Sequence, residues 1–321
     1  MPVFVHIAAG YAVGKGAGMS LSLDWSDVRY FLETARHGRF SGAARRLGVS
    51  HTTVARRVAR LEETLRNRLL EPGAGGLIPT EAGAALIPLA ERMETQAAQI
   101  LDRLQRPGAL TGRVRIGAPD GFGNAVLSRM LPGLLRQEPE LEIELVPVPA
   151  AHKLWNREVD IAISLDRPQT GRLVMQKLTE YELRLYASHG FLKAHGKPDD
   201  REALATMPLV GYIDELLYTE ALDFNRLVHP GARTVYKAAT VQAQLEAVQS
   251  GVGLGVLPCF MARETALVPV LPDQIRFTRA YWLLHAEDDR EIARIRRVID
   301  FLREETRARA ALFRFDAQPG G

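Results

Sequence analysis

The chain has 321 residues, too many for one small module and enough for two or three compact units. Apolar residues make up 46% and charged residues 25%, ordinary for a globular fold, and no apolar run reaches the roughly 18 residues that a membrane helix needs. The formal net charge of +3 names no partner, and Cys259, the sole cysteine, excludes an internal disulfide, a thiolate metal cluster and a disulfide-based redox sensor. A reducing, cytoplasmic setting suits that composition.

Residues 1–18, MPVFVHIAAGYAVGKGAG, carry no basic residue ahead of their apolar stretch, which argues against a secretory signal. They read as a disordered extension ahead of Met19. Patterned sequence begins at Asp24. Val28, Phe31, Leu32 and Ala35 recur at helical spacing, Asp24 or Ser26 can cap the start, and His37-Gly38 ends the helix. A short second helix follows, with Ser41 as its expected N-cap and Ala43, Ala44 and Leu47 inward. Gly48 turns the chain and Ser50 caps a third helix. There Val54, Val58, Leu61 and Leu65 face inward, Thr53, Arg56, Arg57 and Arg60 share the opposite face, and His51 and Thr52 form the tip.

Two short helices joined by a glycine turn, with alanines at their crossing and an Arg/Thr/His outer face, describe a helix-turn-helix. Arginine can donate two hydrogen bonds to guanine, and threonine can bond a base or touch a thymine methyl. Residues 41–70 hold seven arginines against two acids, a local net charge of +5 of the kind phosphate neutralisation needs. A basic helix that is merely solvated has no need of a Ser/His/Thr tip. The candidate DNA-contacting residues are therefore Ser41, Ser50, His51, Thr52, Thr53, Arg56, Arg57 and Arg60, with Arg60 toward the DNA backbone.

The stretch LLEPGAGGLIPTEAG fits a β-ribbon wing and a helix start at Thr80. Across 81–106, Leu86, Leu89, Met93, Ala97, Ile100 and Leu104 step by three or four, close to a heptad seam expected to dimerise. Pro88 is expected to kink or delay the first turn. Gln105-Arg106-Pro107-Gly108 reads as a hinge. From Arg113 short strands alternate with helices, which implies α/β units with parallel pairing. VRIGA, LEIELVPV and EVDIAISL are strands, and a helix starts at Asp120 and leaves near Pro139. MPLVGYI, RTVYKA and GVGLGVLP form a second set of strands, with helices over 217–228 and 240–250. YELRLYAS and IRFTRAYWLLHAE read as two strands joining the lobes. A last helix covers 288–309, and 310–321 is expected to be a flexible tail.

The segment FLETARHGRFSGAARRLGVSHTTVARRVARLEETL, then LIPTEAG and the helix after it, resembles the LysR-type transcriptional regulators, and the likeness extends less sharply over roughly 22–305. The resemblance implies an α/β protein with an N-terminal all-α winged helix-turn-helix, a long linker helix and a two-lobed, periplasmic-binding-protein-like effector domain. Its expected divisions are 1–18 extension, 19–80 DNA-binding domain, 81–108 linker and hinge, and 109–309 effector domain. Lobe I would take about 112–182 and 284–309, and lobe II about 183–283. The resemblance also implies promoter or operator DNA as partner, a homodimer or dimer of dimers, a small-molecule effector, contact with RNA polymerase, and control of nearby genes. One departure stands out: Glu71 to Leu77, the wing, has no basic residue where the family commonly carries one.

In open α/β sheets ligands lie beyond the carboxyl ends of strands, at helix N-termini. By that analogy the effector-binding candidates are Asp120, Gly121, Phe122, Asp166, Tyr212, Thr240, Gln242 and Pro258. Many members of the family place a hydroxyl residue where Asp120 stands. An aspartate would take the helix-terminal N–H groups for itself and repel an anion, which favours a neutral or cationic effector or a closed pocket. A plain N-cap is the alternative reading of Asp120.

No catalytic constellation emerges. GKGAG (14–18) lacks a preceding strand and a following helix, GVGLG (251–255) sits in a strand, and Ser188-His189 lacks a nucleophile elbow. The eight histidines are scattered, so no metal and no cofactor is expected. Two other classes remain open from the residues alone. A small-molecule-binding protein of periplasmic-binding-like fold would leave the basic helix unexplained. An α/β enzyme with a fused helical domain would need a reactive group that the chain does not supply.

Overall fold

The protein was analysed as a computed structural model that describes residues 23–73, 75–104, 110–147, 159–167, 173–217, 219, 222–287, 289 and 292–316. The expected extension at 1–18 and the expected hinge at 105–108 lie outside the described residues. The chain divides into two compact units, one up to Glu91 and one from Arg92 onward.

The first unit is built on α1 (Trp25–His37), α2 (Phe40–Leu47) and α3 (His51–Leu65). Asp24 caps α1, accepting from the backbone N–H of Ser26 at 2.9 Å, and Gly38 ends it at φ 65°. Gly48 ends α2 at φ 67°, a left-handed turn that a β-carbon would oppose. Ser41 does not cap α2. The helix begins at Phe40, Arg39 holds the N-cap position without a side-chain bond, and Ser41 is exposed one residue inside the helix. Val28, Phe31, Leu32, Ala43, Ala44, Val54, Val58 and Leu61 close into one buried cluster, as the 3.6-residue spacing requires.

The wing follows as β1 (Leu70–Gly73) paired antiparallel with β2 (Gly76–Pro79). Buried Glu62 ties it to α3, accepting from the N–H groups of Leu69 at 2.8 Å and Leu70 at 3.2 Å. Helix α4 (Glu81–Leu104) starts where Thr80 accepts from the N–H of Gly83 at 3.1 Å. The delay expected from Pro88 does not occur, because the Thr80 cap begins the helix a full turn or more earlier and the helix runs through the proline. Leu86, Ile87 and Ala90 pack into the first unit's core, whereas Leu89, Met93 and Ile100 are exposed on the same helix.

The second unit contains β3 (Gly112–Ala118), then α5 (Asp120–Phe122), which continues through a π turn at Gly123–Leu127 into α6 (Ser128–Gln137). Next come β4 (Leu141–Pro147), β5 (Ile161–Ser164), β6 (Leu173–Ala187), α7 (His189–His195) and β7 (Leu209–Tyr212). The chain then forms α8 (Phe224–Val228), β8 (Thr234–Ala238), α9 (Val241–Gln249), β9 (Leu254–Pro258) and α10 (Cys259–Ala262). It closes with β10 (Val268–Val270), β11 (Arg276–Ala286) and α11 (Ala293–Ala308). Among the described residues one mixed nine-stranded sheet runs β4-β3-β5-β11-β6-β9-β7-β8, with β10 on β6. The parallel set β4-β3-β5 makes lobe I and β9-β7-β8 makes lobe II. The long antiparallel pair β6 and β11 crosses between them, as the two connecting strands were expected to do.

Three expectations need correction. The helix expected over 217–228 is only Phe224–Val228, because Asp223 caps it, accepting from the N–H of Arg226. The last helix starts at Ala293 and not at 288. Of the tail expected to fray at 310–321, residues 310–316 do not: Ala310–Phe313 forms a 3-10 turn and Phe313 is fully buried, while 317–321 lie outside the described residues. Its ring lies 6.1 Å from Phe122 and 5.7 Å from Phe260, and Phe315 sits under the Arg184 guanidinium at 4.7 Å. Apolar side chains at 312, 313 and 315 bury enough surface to hold this segment down.

Candidate nucleic-acid interface and ligand cleft

The tip of α3 is preformed. Ser50 accepts from the backbone N–H of Thr53 at 3.2 Å, and its hydroxyl shares hydrogen bonds with the Thr52 and Thr53 hydroxyls at 2.8 and 2.9 Å. This satisfies the helix N-terminus and leaves His51 and Thr52 exposed at its end. Arg56 is exposed one turn further on and has no partner among the described residues. Arg45, Arg66 and Arg68 are also exposed, the last paired with Glu62 at 2.9 Å.

Arg57 and Arg60 do not stand free beside Arg56. Asp27, on α1, is 2% exposed, and its carboxylate accepts from Arg57 at 3.1 Å and from Arg60 at 2.5 Å. Asp24 also pairs with both arginines. Burial would raise the Asp24 carboxyl, but the Ser26 hydrogen bonds and the Arg60 charge outweigh it and hold the group below its ordinary range. Arg57 further lies over the Tyr30 ring at 5.7 Å. These two arginines therefore fasten α3 to α1 and compensate a buried charge. Asp24 and Asp27, three residues apart on the first turn of α1, were the available signal.

The second site lies between the lobes. A narrow cleft, open to solvent, is lined by Asp120, Gly121, Tyr212 and Pro258 of the expected residues. Pro119, Leu165 and Val241 also line it, and Tyr181, Leu183, Leu222, Phe224, Val256 and Tyr281 do so without having been anticipated. Phe122 is fully buried beneath, its ring 4.3 Å from Tyr281, which in turn stacks on Tyr181 at 4.3 Å. Burial pushes the Tyr181 hydroxyl up, so it stays neutral beside its Tyr281 partner. Asp166 is exposed and outside the lining, and Thr240 is an exposed N-cap for α9, accepting from the N–H of Ala243 at 3.3 Å. The Gln242 side chain turns along the helix to Glu246 at 3.0 Å, so only its backbone serves the cleft.

Asp120 is not an N-cap. Pro119 holds that position, and Asp120 is the first residue of α5. Its carboxylate reaches across the cleft and accepts from the backbone N–H of Gln242, on the first turn of α9, at 3.2 Å. Gly121 allows this approach, since a β-carbon there would lie 2.5 Å from the Val241 side chain. Burial pushes the Asp120 carboxyl up, against the pull of the Gln242, Gly121 and Val241 N–H groups. The donors that a carboxylate ligand would use at α9 are thus met by a carboxylate of the chain itself.

Comparison with known proteins gives the same division. A family model described as a bacterial regulatory helix-turn-helix protein of the lysR family matches residues 25–84, and one described as the LysR substrate binding domain matches residues 107–307. The chain is 30% identical over 275 residues to the Mau operon transcriptional activator of Paracoccus denitrificans, covering 83% of this chain and 92% of that protein. It is 28% identical over 301 residues to the HTH-type transcriptional regulator PtxR of Pseudomonas aeruginosa, covering 88% and 93%. Among solved structures, ArgP from Mycobacterium tuberculosis superposes with a TM-score of 0.67 at 20% identity, over 92% of this chain and 100% of that one. CrgA, a LysR-type regulator from Neisseria meningitidis, gives a TM-score of 0.55 at 23% identity, over 88% and 99%.

Proposed function

The chain belongs to the LysR-type family of DNA-binding transcriptional regulators, and we propose that it reads a promoter or operator site through the exposed tip of α3. The family consists of regulators and not enzymes, so the enzyme and the DNA-free binding protein both fall away. The observation that carries the reading is the preformed tip itself: Ser50 caps the helix, His51 and Thr52 project from it, and Arg56 stands exposed and unpaired among the described residues. Arg56 has the reach and the donors for guanine, with Thr52 and Thr53 beside it for a base or a methyl group. Ser41 and Ser50 lie where hydroxyls meet phosphates. Arg57 and Arg60 serve by fixing the angle of α3 and reach DNA only at a backbone edge.

The exposed stripe Leu89, Met93 and Ile100 on α4, with Ala97 between, favours a second copy of the chain as the helix's partner. Leu86 lies at its inner end against the DNA-binding core, and Leu104 continues the spacing. On this reading the DNA-binding domain takes 19–80, the dimerising linker 81–108 and the effector domain 109–309. The protein would act in the cytoplasm as a homodimer or dimer of dimers, control nearby genes and touch RNA polymerase. Asp120 favours a neutral or cationic effector in the inter-lobe cleft.

Footprinting the purified protein on DNA upstream of its own gene tests the reading. Protection over one or more pairs of half-sites, a helical turn apart, is the expected result, and their spacing separates dimer from tetramer. Absence of any salt-sensitive, sequence-dependent protection there would refute it. Tight binding of a small carboxylate in the cleft, displacing Asp120 from α9, would refute the effector preference.

A further inference from the structure

The wing carries no base. From Leu70 to Pro79 its one charged residue is Glu71, and that side chain is exposed. An acid beside phosphates is repelled and releases no counterion, so this face needs a cation from elsewhere in the fold. The part of the fold that the wing touches is the turn between α1 and α2. The N–H of Leu77 donates to the Gly38 carbonyl at 2.7 Å. Gly76, at φ 140°, lies so near that a β-carbon on it would come within 2.3 Å of that oxygen and 3.3 Å of the carbonyl carbon. That carbon is bonded to the nitrogen of Arg39, so the wing rests against the peptide that leads into Arg39.

The backbone of Arg39 is held from its other side too. Gly42 lets α2 close on α1, since a β-carbon there would lie 2.8 Å from the His37 β-carbon. The Arg39 carbonyl accepts from the N–H groups of Gly42 at 3.1 Å and Ala43 at 3.3 Å. The side chain, by contrast, is exposed, makes no capping bond and has no partner among the described residues. Arg57 and Arg60 differ, being held by Asp24 and Asp27, and so does Arg68, held by Glu62. When a helix-turn-helix seats its second helix in the major groove, its first helix crosses the DNA backbone. That first helix is α2, and Arg39 stands at its start beside the wing.

We infer that Arg39 supplies the phosphate contact that the wing lacks, its guanidinium engaging the DNA backbone where α2 crosses it. This rests on the reading of α3 as the helix in the groove and adds a positioning contact to it. The planar guanidinium can present two parallel N–H donors to phosphate oxygens. Phosphates carry no sequence information, so Arg39 fixes the seat of the domain and leaves base reading to the tip of α3.

The test uses the full-length protein, Arg39→Ala and Arg39→Lys. Fluorescence anisotropy follows binding to the footprinted duplex and to a scrambled duplex of equal length, from about 50 to about 200 mM salt. Arg39→Ala should weaken both duplexes by the same factor. Its plot of log affinity against log salt should be shallower by about 0.9 for each domain engaged, so that this rise in salt costs it roughly 3.5-fold less affinity per domain than it costs the parent. Arg39→Lys keeps the charge and should restore the slope, with only part of the affinity because the two-donor fork is gone. Both variants should melt with the parent. Uncharged methylphosphonates placed one at a time along the footprinted duplex should reveal a position that weakens the parent and leaves Arg39→Ala indifferent. Unchanged affinity and slope in Arg39→Ala would overturn the inference. So would a loss confined to the footprinted duplex, a fall in melting temperature that accompanies the loss, or equal methylphosphonate effects in parent and variant at every position. If Arg56→Ala loses the preference for the footprinted duplex while Arg39→Ala binds like the parent, the inference fails alone. If the parent binds neither duplex, the reading of α3 fails with it.

Discussion

Arg56, Arg57 and Arg60 share one helix and one charge, but their surroundings assign them different work, which alanine substitution separates. Asp27 is buried and met by both Arg57 and Arg60, at 3.1 and 2.5 Å. Removing one arginine leaves the other in place. Removing both strands a buried carboxylate, a change that costs about 3–5 kcal/mol. In a unit of this size about 1 kcal/mol moves the melting temperature by roughly 4–8 °C, so the Arg57→Ala/Arg60→Ala pair should lose on the order of 12 °C or more. Adding Asp27→Asn should restore much of it by removing the stranded charge. Arg56→Ala touches no such network, so its stability should stay within about 0.5 kcal/mol of the parent. Its operator affinity should fall by about 1–3 kcal/mol, roughly 5- to 150-fold, if Arg56 contacts a base. Calorimetry gives the first quantity, and fluorescence anisotropy on the footprinted duplex at several salt concentrations gives the second. The reasoning is refuted if the double variant loses affinity at unchanged melting temperature, or if Arg56→Ala melts early.

The other predictions are more local. Phe313→Ala empties a fully buried aromatic site between Phe122 and Phe260 and should cost about 3–5 kcal/mol in the effector domain; a loss under about 1 kcal/mol would deny the tail its place in the core. Asp120 has a folded pKa raised by burial above its unfolded value, so its contribution to stability is present below the ordinary carboxylate range and is lost as pH rises through the folded pKa. Asp120→Asn should therefore flatten the melting-temperature profile on the acid side, and a parent that gains stability over the variant as pH rises would reverse that sign. Leu89→Glu with Ile100→Glu places charges on the exposed stripe of α4 and, where the parent is the proposed dimer, should leave a monomer in light scattering at micromolar concentration. Unchanged mass would show that the stripe is not the interface.

Most of the fold was legible because its elements announce themselves within a few residues. Periodicity located Val28, Phe31 and Leu32 on α1, and Val54, Val58 and Leu61 on α3, all of which are buried. Glycine and serine chemistry marked Gly38, Gly48 and Ser50 at helix ends. The alternation of strands and helices, with two long strands between, described the lobes and their crossing. Errors arose where a short segment depends on distant packing. Leu312, Phe313 and Phe315 look like a frayed end until Phe122, Phe260 and Arg184 are set against them. Ser41 is a good cap residue by type, but Phe40 joins the core and starts the helix one residue earlier.

The candidate sites were harder to read for the same reason. Helical spacing tells which face a residue occupies and says nothing of what sits opposite. Arg57 and Arg60 find Asp27 at separations of 30 and 33 residues, and Asp120 finds Gln242 at a separation of 122. In each case a carboxylate compensates a positive group that local sequence offers to an outside ligand. The net charge of +5 counted over residues 41–70 leaves out Asp24 and Asp27, and including those two acids brings it to +3. Because Arg57 and Arg60 enter the complex already paired, they release few counterions, and the salt dependence of operator binding should be carried by Arg56 and the other exposed arginines. At α9 the same device works on the cleft: a helix terminus that would attract an anion already faces the Asp120 carboxylate, and the rest of the described lining is an apolar and aromatic wall.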